Sequence, residues 1–330
     1  MPRLAIVVSA VGSIESMEAT LVSVLEHRPA DCEIIVALQR PYADPYDLKD
    51  EVQFLPPGRR RSVMSAINHA LAATRAPFVH VLAAGCQVSE GWADEALGRF
   101  GDRQVAAVVP MIWNANDSQQ ILAAGVSYRK RGQRYLVGQG RQSIDSATQA
   151  AMIAPASMAG FYRKAALDFV GGFSDRLGPR QADADLGIVF RKAGLGVVLE
   201  ARSQVFATPE ADVSIGSMGE ALANERLFWR NFVAPGRVTG LMAHAMHVAY
   251  ETVASFGRPR MVTQAMARMW ACCEAKGHAR HRLALAELAA RAIRPAAAVE
   301  TKLTNDNVRI DRSHDSLTRS DAARTRAHAS

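Results

Sequence analysis

The sequence predicts an α/β fold in which a mostly parallel sheet is flanked by helices and followed by a helical C-terminal region. Two observations predict it. Short apolar runs alternate with amphipathic helical patterns in the first half of the chain, and the last third shows helical spacing alone. Strands separated by helices of this length imply right-handed crossovers between parallel strands. Such sheets bind ligands beyond the carboxyl ends of their strands, so we expect a functional site there.

The predicted strands and helices follow one another in a regular order. Continuous apolar runs are typical of strands buried on both faces, and they occur at residues 4–11, 33–38, 52–55, 77–82 and 105–111. Helical patterns keep their apolar residues on one face, and they occur at residues 16–27, 62–73 and about 92–100.

Residues 161–194 are the most informative stretch of the chain. They predict a helix, a turn at Gly171-Gly172-Phe173, a loop and a second helix. Asp185 is the predicted N-cap of this second helix, because Leu186 begins an apolar run with near-helical spacing. Asp183 is then expected to project from the loop.

The last third of the chain is predicted to be helical and then disordered. Helical spacing covers residues 214–232, 240–256, 262–275 and 282–294, and the chain is polar and free of aromatic residues from about residue 295. We divide the chain into an α/β domain at 1–212, a helical extension at 213–294 and a disordered basic tail at 295–330. The extension could cover a substrate site, lie on a membrane surface or form a dimer contact.

Composition bears on the location of the protein. No run approaches the roughly 18 consecutive apolar residues that a membrane span needs. The first residues, MPRLAIVVSAVGSIES, enter an apolar run at once, which indicates a first strand rather than a signal peptide. We therefore expect a cytoplasmic protein, with peripheral contact to the inner face of the membrane as an option.

The net charge of +7 is unevenly distributed. Residues 1–257 carry 25 basic and 25 acidic side chains, whereas residues 258–330 carry 14 and 7. A basic C-terminal part can meet anionic lipid, nucleic acid or an acidic partner, although a solvated helix face and a disordered end would explain the same charges. No aromatic residues are interleaved with the basic ones, so no nucleic-acid partner is expected.

Residues 161–194 also resemble the segment GGFDE…EDxDLxxRxxxAG of the family 2 glycosyltransferases. The spacing is kept without a gap at Gly171, Gly172, Phe173, Asp183, Asp185, Leu186, Arg191, Ala193 and Gly194. Further matches extend the resemblance over roughly residues 4–206, at Ser23, Leu25, Arg61, Asn68, Leu82, Gly91 and Trp92. The resemblance implies the GT-A-like (Rossmann-like) fold and a sugar transfer with inversion from a nucleotide-sugar donor to a hydroxyl acceptor.

The resemblance also implies roles for individual residues. Asp183 would be the general base, and Asp185 would support it as a helix cap. The residues expected to bind the nucleotide sugar are Ser9, Val11, Gln39, Arg61, Asn68, Ala84 and Gly85. The acceptor would be a glycan or a lipid-linked molecule, and the product would belong to a cell-envelope polysaccharide.

The metal-binding residues of the resembled family are replaced in this chain. Its metal-binding aspartate motif corresponds to Ala83-Ala84-Gly85, followed by Cys86. A second strand, which in that family ends in two aspartates that hold the base and ribose of the nucleotide, ends here in Leu38-Gln39. Alanine and glycine side chains offer no oxygen to Mg²⁺ or Mn²⁺. We therefore assign no metal ligand and no cofactor, and a divalent metal would need other ligands.

Positive side chains must then balance the charge that develops on the departing nucleoside diphosphate. Arg59-Arg60-Arg61 is the better candidate cluster, because it stands at the start of a predicted helix. A solvated helix start would explain the same three residues. The second cluster, at Arg129, Lys130, Arg131 and Arg134, reads as an exposed hairpin turn with Gly132 at its tip, so its predicted role is solubility.

Two functions remain open from the sequence. One is an active inverting glycosyltransferase that uses a nucleotide-activated sugar by a metal-independent or altered route. The other is a catalytically inactive relative, a pseudoenzyme, that keeps the fold in order to bind a sugar, a nucleotide or a protein. A dinucleotide-dependent Rossmann enzyme is disfavoured, because the first strand leads into AVGSIES, which has one glycine where that fingerprint needs three.

Overall fold

The computed structural model describes residues 2–57, 62–129, 132–212, 217–231, 237–254 and 256–290. Its strands are β1 (Leu4–Ala10), β2 (Cys32–Leu38), β3 (Val52–Leu55), β4 (Phe78–Ala83), β5 (Cys86–Val88), β6 (Val105–Asn114), β7 (Asp117–Ala123), β8 (Val126–Tyr128), β9 (Arg134–Leu136), β10 (Ala159–Arg163) and β11 (Gly196–Ala207).

Nine of these strands form one sheet in the order β3-β2-β1-β4-β10-β6-β11-β5, with β7 paired to β6. The pairs of β1 with β2 and β4, of β2 with β3, and of β6 with β11 are parallel. Strand β10 is antiparallel to both of its neighbours, β4 and β6. Six strands therefore run in one direction and three in the other, which confirms the predicted mostly parallel sheet.

Helices flank this sheet and continue beyond it. They are α1 (Ile14–Glu26), α2 (Val63–Ala73), α3 (Trp92–Arg99), α4 (Ser146–Ala150), α5 (Lys164–Val170), α6 (Pro179–Lys192), α7 (Ser217–Asn231), α8 (Arg237–Ala254) and α9 (Pro259–Cys273). Residues 275–290 are also helical. In the described part of the chain, every helix is too short or too polar to cross a lipid bilayer.

Most predicted elements appear within a few residues of their expected bounds. The five predicted strands are β1, β2, β3, β4 and β6, and the three helices between them are α1, α2 and α3. Helices α7, α8 and α9 lie within or close to the predicted helical stretches. The tail from residue 295, like Arg59, Arg60, Arg61, Lys130 and Arg131, lies outside the described residues. The domain boundaries remain predictions.

The segment before the Gly-Gly-Phe turn differs from its prediction. Residues 161–163 were expected to be helical, but they belong to β10, and α5 begins only at Lys164. Phe161 is fully buried, and its ring stacks on His80 of β4 with 3.8 Å between ring centroids. A strand of five residues is too short to show a clear period, and its partners in the sheet are distant in sequence.

The helix that carries the two aspartates begins earlier than predicted. Gly178 is the N-cap and Pro179 is the first helical residue of α6, a position where proline costs no hydrogen bond. The prediction of Asp185 as the N-cap is therefore wrong, and so is the expected loop position of Asp183. Both lie in the second turn of α6 and are buried.

One prediction concerns the close contact between α6 and the segment before β10. A Cβ atom at Gly187 would lie 2.6 Å from the carbonyl oxygen of Ile153 and 2.8 Å from the Cβ of Ala154. We expect Gly187→Ala to lower the free energy of unfolding by about 1–3 kcal/mol through overpacking, as measured by urea denaturation. Gly98→Ala is the matched control, because nothing lies within 4 Å of its added Cβ. A destabilisation of equal size in both variants would contradict this reading.

Candidate functional site

The carboxyl ends of β1 and β4 form the edge where the strand order reverses. The chain proceeds from β1 to β2 on one side and returns to β4 on the other, which is where open α/β sheets bind ligands. The carbonyl oxygen of Ser9 accepts a hydrogen bond from the N–H of Ala84 at 3.1 Å, and the N–H of Gly85 donates to Thr20 Oγ1 at 2.9 Å. Three predicted donor-binding residues, Ser9, Ala84 and Gly85, therefore lie together at this edge.

Val11 and Gln39 lie at the same edge. Ala10 is paired with Leu38, so the next residues of the two chains, Val11 and Gln39, are neighbours, and both are half-buried. Beside them, Arg40 Nη2 donates to the carbonyl oxygen of Gly12 at 2.8 Å. Arg40 is not among the predicted donor-binding residues, although its position directly after a buried strand was a signal for it.

The remaining predicted donor residues are placed differently. Arg61 lies outside the described residues. The side-chain amide of Asn68 forms two hydrogen bonds with the backbone of Phe173. Its Nδ2 donates to the carbonyl oxygen at 2.7 Å, and its Oδ1 accepts from the N–H at 3.0 Å. Asn68 thus holds the Gly-Gly-Phe turn against α2, and a role in donor binding stays a prediction.

The described residues at this edge do not fit a divalent metal. The Cys86 thiol is fully buried, and burial raises its pKa to about 12, so it stays protonated, with Sγ 3.5 Å from the carbonyl oxygen of Met158. Ala83, Ala84 and Gly85 offer no side-chain oxygen. Among the described residues, no group of three or more His, Cys, Asp or Glu side chains could hold a metal ion.

Asp183 is held by three N–H donors in the interior of the protein. Its side chain is 1% exposed. Oδ2 accepts from Arg134 Nη2 at 2.7 Å and from the N–H of Ser157 at 2.9 Å, while Oδ1 accepts from Arg134 Nε at 3.3 Å. Burial raises the pKa of Asp183 to about 6 against the opposing effect of Arg134. The carboxylate is therefore ionised at neutral pH, with a pKa suited to a general base.

Arg134 connects Asp183 to a second buried carboxylate. It begins β9, its side chain is 7% exposed, and its Nη1 donates to Asp212 Oδ2 at 2.8 Å. Burial alone would lower the pKa of the guanidinium, but the two carboxylates outweigh it and raise the pKa. The predicted hairpin is confirmed as β8 and β9 with Gly132 in the turn between them, but the prediction of Arg134 as an exposed residue is wrong.

These charged residues border the end of β4. Ser157, which donates to Asp183, precedes Met158, whose carbonyl oxygen accepts from the N–H of Ala83 at 2.7 Å. Ala211, which precedes Asp212, lies 3.9 Å from the position that a Cβ at Gly85 would take. Asp212 and Ser157, the backbone donor to Asp183, are thus each one residue away from a contact with the expected ligand edge.

A cavity of about 310 Å³ adjoins the cluster. It is lined by Arg129, Gln133, Arg134, Tyr135, Arg180, Gln181, Glu220 and Asn224. Arg180 extends the charge network, because its Nε lies 3.1 Å from Asp212 Oδ2. Asp183 does not line the cavity, since Arg134 stands between them.

Several buried polar atoms around the cluster are unsatisfied. Within the described residues, Ser157 Oγ, Gln181 Oε1 and Asp212 Oδ1 have no hydrogen-bond partner. Buried polar groups in native proteins nearly always have one. The cluster therefore contains polar atoms whose hydrogen-bonding capacity is not used within the described residues.

Asp185 serves a different contact from Asp183. It accepts a hydrogen bond from Asn231 Nδ2 at 2.7 Å, and its Oδ1 lies 3.2 Å from Arg230 Nε. Burial raises its pKa, against the opposing effect of Arg230. Asp185 therefore joins α6 to α7 as a structural ion pair.

Comparisons with known proteins bear on the fold. No protein-family model and no curated protein match the sequence. The structure of GalNAc-T7 with UDP, GalNAc and Mn²⁺ aligns with a TM-score of 0.53 and 12% identity, over 78% of this chain and 58% of that chain. The mannosyltransferase PcManGT from Pyrobaculum calidifontis, in complex with GDP-Man and Mn²⁺, aligns with a TM-score of 0.47 and 15% identity, over 88% of this chain and 86% of that chain.

The alignment with GalNAc-T7 shows a common architecture at low sequence identity. This chain spans 58% of the length of that protein, and the resemblance to family 2 in particular stays a prediction. The curled sheet of mostly parallel strands, its flanking helices and the helical C-terminal part agree with the expected class. The chain has the GT-A fold found in glycosyltransferases.

Proposed function

We propose that the protein transfers a sugar from a nucleotide-sugar donor to a hydroxyl group of a glycan or lipid-linked acceptor, with inversion and without a divalent metal. The observation that carries this proposal is the buried Asp183 carboxylate, whose pKa of about 6 suits a general base and whose backbone donor, Ser157, precedes a residue that contacts the end of β4. The GT-A fold supports the substrate class. The residues Ala83, Ala84 and Gly85, which offer no side-chain oxygen to a metal, support the metal-independent route.

Asp183 would take the proton of the acceptor hydroxyl. Its Oδ1 is the available oxygen, because its only hydrogen bond among the described residues is the longer one, at 3.3 Å, from Arg134 Nε. A shift of Arg134 would open this oxygen to the cavity. The acceptor oxygen then forms a bond to the anomeric carbon as the bond to the diphosphate oxygen breaks. The electron pair leaves with the nucleoside diphosphate, and attack from the opposite face inverts the anomeric configuration.

Positive side chains would stabilise the leaving group. Arg40 is an exposed cation at the ends of β1 and β2. Arg134 and Arg180 both contact Asp212, which follows the residue packed beside Gly85. Cations aimed at the oxygen where charge develops lower the barrier without a metal. Arg40 is therefore the residue we place nearest the diphosphate.

A thermal-shift screen with nucleoside diphosphates and nucleotide sugars tests donor binding, because a ligand of the native state raises the melting temperature. We expect at least one nucleotide sugar to raise it equally with and without a chelator. For that donor, release of nucleoside diphosphate should depend on an added glycan or lipid-linked acceptor, and NMR of the product should show an inverted anomeric centre. Donor binding abolished by chelator, or no binding at all, would contradict the proposal.

The burial of Asp183 favours a second function, that of a catalytically inactive protein that binds a sugar or a nucleotide. Its 1% exposure and its three N–H donors suit a structural ion pair as well as a resting base. An inactive sugar- or nucleotide-binding protein would show the same thermal shifts. It would release no nucleoside diphosphate with any acceptor, which separates the two functions.

A further inference from the structure

Exposed large apolar side chains are concentrated in the C-terminal helices. In described residues 2–231 the exposed ones are Ile14, Val22, Tyr46 and Phe169. Between residues 238 and 283 there are three times as many: Val238, Leu241, Met242, Met246, Tyr250, Val253, Phe256, Val262, Met266, Met269, Trp270 and Leu283. An exposed patch of this kind marks an interaction surface.

In each helix these side chains share one face. In α8 they recur at intervals of three or four residues from Val238 to Val253, and Met246 and Tyr250 are 71% and 72% exposed. In α9 the same spacing leads from Val262 to Trp270, and Phe256, in the turn between the helices, is 80% exposed. Residues three or four apart lie on the same side of a helix, so each helix presents an apolar stripe.

The opposite faces of α8 and α9 contact the rest of the protein through polar and small residues. His244 of α8 is buried with its Nε2 3.2 Å from Glu225 Oε2. Arg268 of α9 lies 2.6 Å from Glu251 Oε2 of α8, and α9 buries Ala267 and Ala271. A helix in water normally buries its apolar face and exposes its polar one. In α8 and α9 the polar and small residues face the protein and the large apolar residues face outward. The outer face is therefore suited to an apolar partner.

We propose that the apolar faces of α8 and α9 dock on an anionic lipid surface. Residues 1–236 carry 24 basic and 24 acidic side chains, whereas residues 237–330 carry 15 and 8, so the whole positive excess lies in the part of the chain that begins with α8. From residue 237 to residue 273 the only acidic residue is Glu251, and it is paired with Arg268. Apolar stripes combined with positive charge are typical of helices that lie on anionic membranes.

Two aromatic residues support a lipid surface as the partner of these apolar faces. Tyr250 and Trp270 are 72% and 58% exposed on the two stripes, and both residue types favour the interface between membrane and water. A second copy of the chain would bring two positively charged extensions together, which is unfavourable. The proposal does not depend on sugar transfer, because its test measures vesicle binding alone.

Sedimentation of the full chain with lipid vesicles tests the proposal. We expect binding to vesicles that contain phosphatidylglycerol, weaker binding to vesicles of phosphatidylcholine alone, and a decrease in binding at high salt. A double variant, Met246→Asp with Tyr250→Asp, should weaken binding at least about tenfold, because two apolar contacts are lost and two negative charges are added. The matched control is Val22→Asp with Phe169→Asp, at exposed apolar positions outside the C-terminal helices, which should bind like the wild type.

Three results would overturn the proposal. They are absence of wild-type binding to anionic vesicles, equal losses in the two double variants, and a dimer in light scattering that the Met246 and Tyr250 variant dissociates while vesicle binding is missing. Circular dichroism of both variants monitors folding, and the wild-type comparison of the two vesicle types is decisive even if a variant fails to fold.

Discussion

Replacing Asp183 with asparagine is expected to lower the rate of sugar transfer by about 10²–10⁴-fold, the usual contribution of a general base. Asparagine keeps the size of the side chain and can still accept the hydrogen bond from Ser157, but it cannot take a proton from the acceptor. Donor binding should remain, because Asp183 does not line the donor edge. The measurement is nucleoside diphosphate release with acceptor, beside a thermal-shift titration of the donor.

The pH dependence of the wild type follows from the same carboxyl group. Burial raises the pKa of Asp183 to about 6, so the basic form predominates at neutral pH and is lost as the pH falls through this value. We expect kcat/KM to rise up to about pH 6 and then to level off. A profile that stays flat down to pH 4.5 would contradict the assignment.

Asp185→Asn is the control in the same helix. Asp185 is also buried, but its partners are Arg230 and Asn231 of α7, so the substitution should lower stability and leave the rate per folded molecule nearly unchanged. Full activity in Asp183→Asn, or an equal loss of rate in both variants, would remove Asp183 from the mechanism.

The fold could be predicted well from the sequence because its central strands carry their own signal. Strands β1, β2 and β4 are almost wholly buried and read as continuous apolar runs. The short strands β5 and β10, with three and five residues, carry no such signal. They are fixed by their neighbours in the sheet, which lie far away in sequence.

The site was less accessible to sequence reasoning. The apolar run after Asp185 shows which face of α6 is buried but not where the helix starts, and Pro179 was the better marker. The contact between Arg134 and Asp183 joins residues 49 positions apart. Within a strand of three residues, nothing in the sequence distinguishes a buried arginine from an exposed one.

Replacing Arg134 with methionine is expected to lower the free energy of unfolding by about 3–5 kcal/mol. It leaves the buried Asp183 carboxylate without its guanidinium partner and removes one of the two guanidinium groups that contact Asp212 among the described residues. Asp183 and Asp212 both bond to this guanidinium, at 2.7 and 2.8 Å. Arg129→Met is the control, since Arg129 lines the same cavity but is exposed, and it should change stability by less than about 1 kcal/mol. Urea denaturation at pH 7.5 measures both variants.

At acidic pH, the free energies of unfolding of Arg134→Met and the wild type are expected to become more similar. Without the guanidinium, the pKa of Asp183 in the folded protein rises further above its value of about 3.9 in the unfolded chain. A buried carboxyl group whose pKa is higher in the folded than in the unfolded protein lowers the free energy of unfolding as the pH increases from its unfolded pKa to its folded pKa. At a pH below both pKa values the group is protonated in both states and no longer lowers the free energy of unfolding. The stability difference should therefore shrink as the pH approaches 4. If the stability difference stays constant between pH 7.5 and pH 4.5, Arg134 stabilises the protein mainly through packing and not by neutralising the carboxylates.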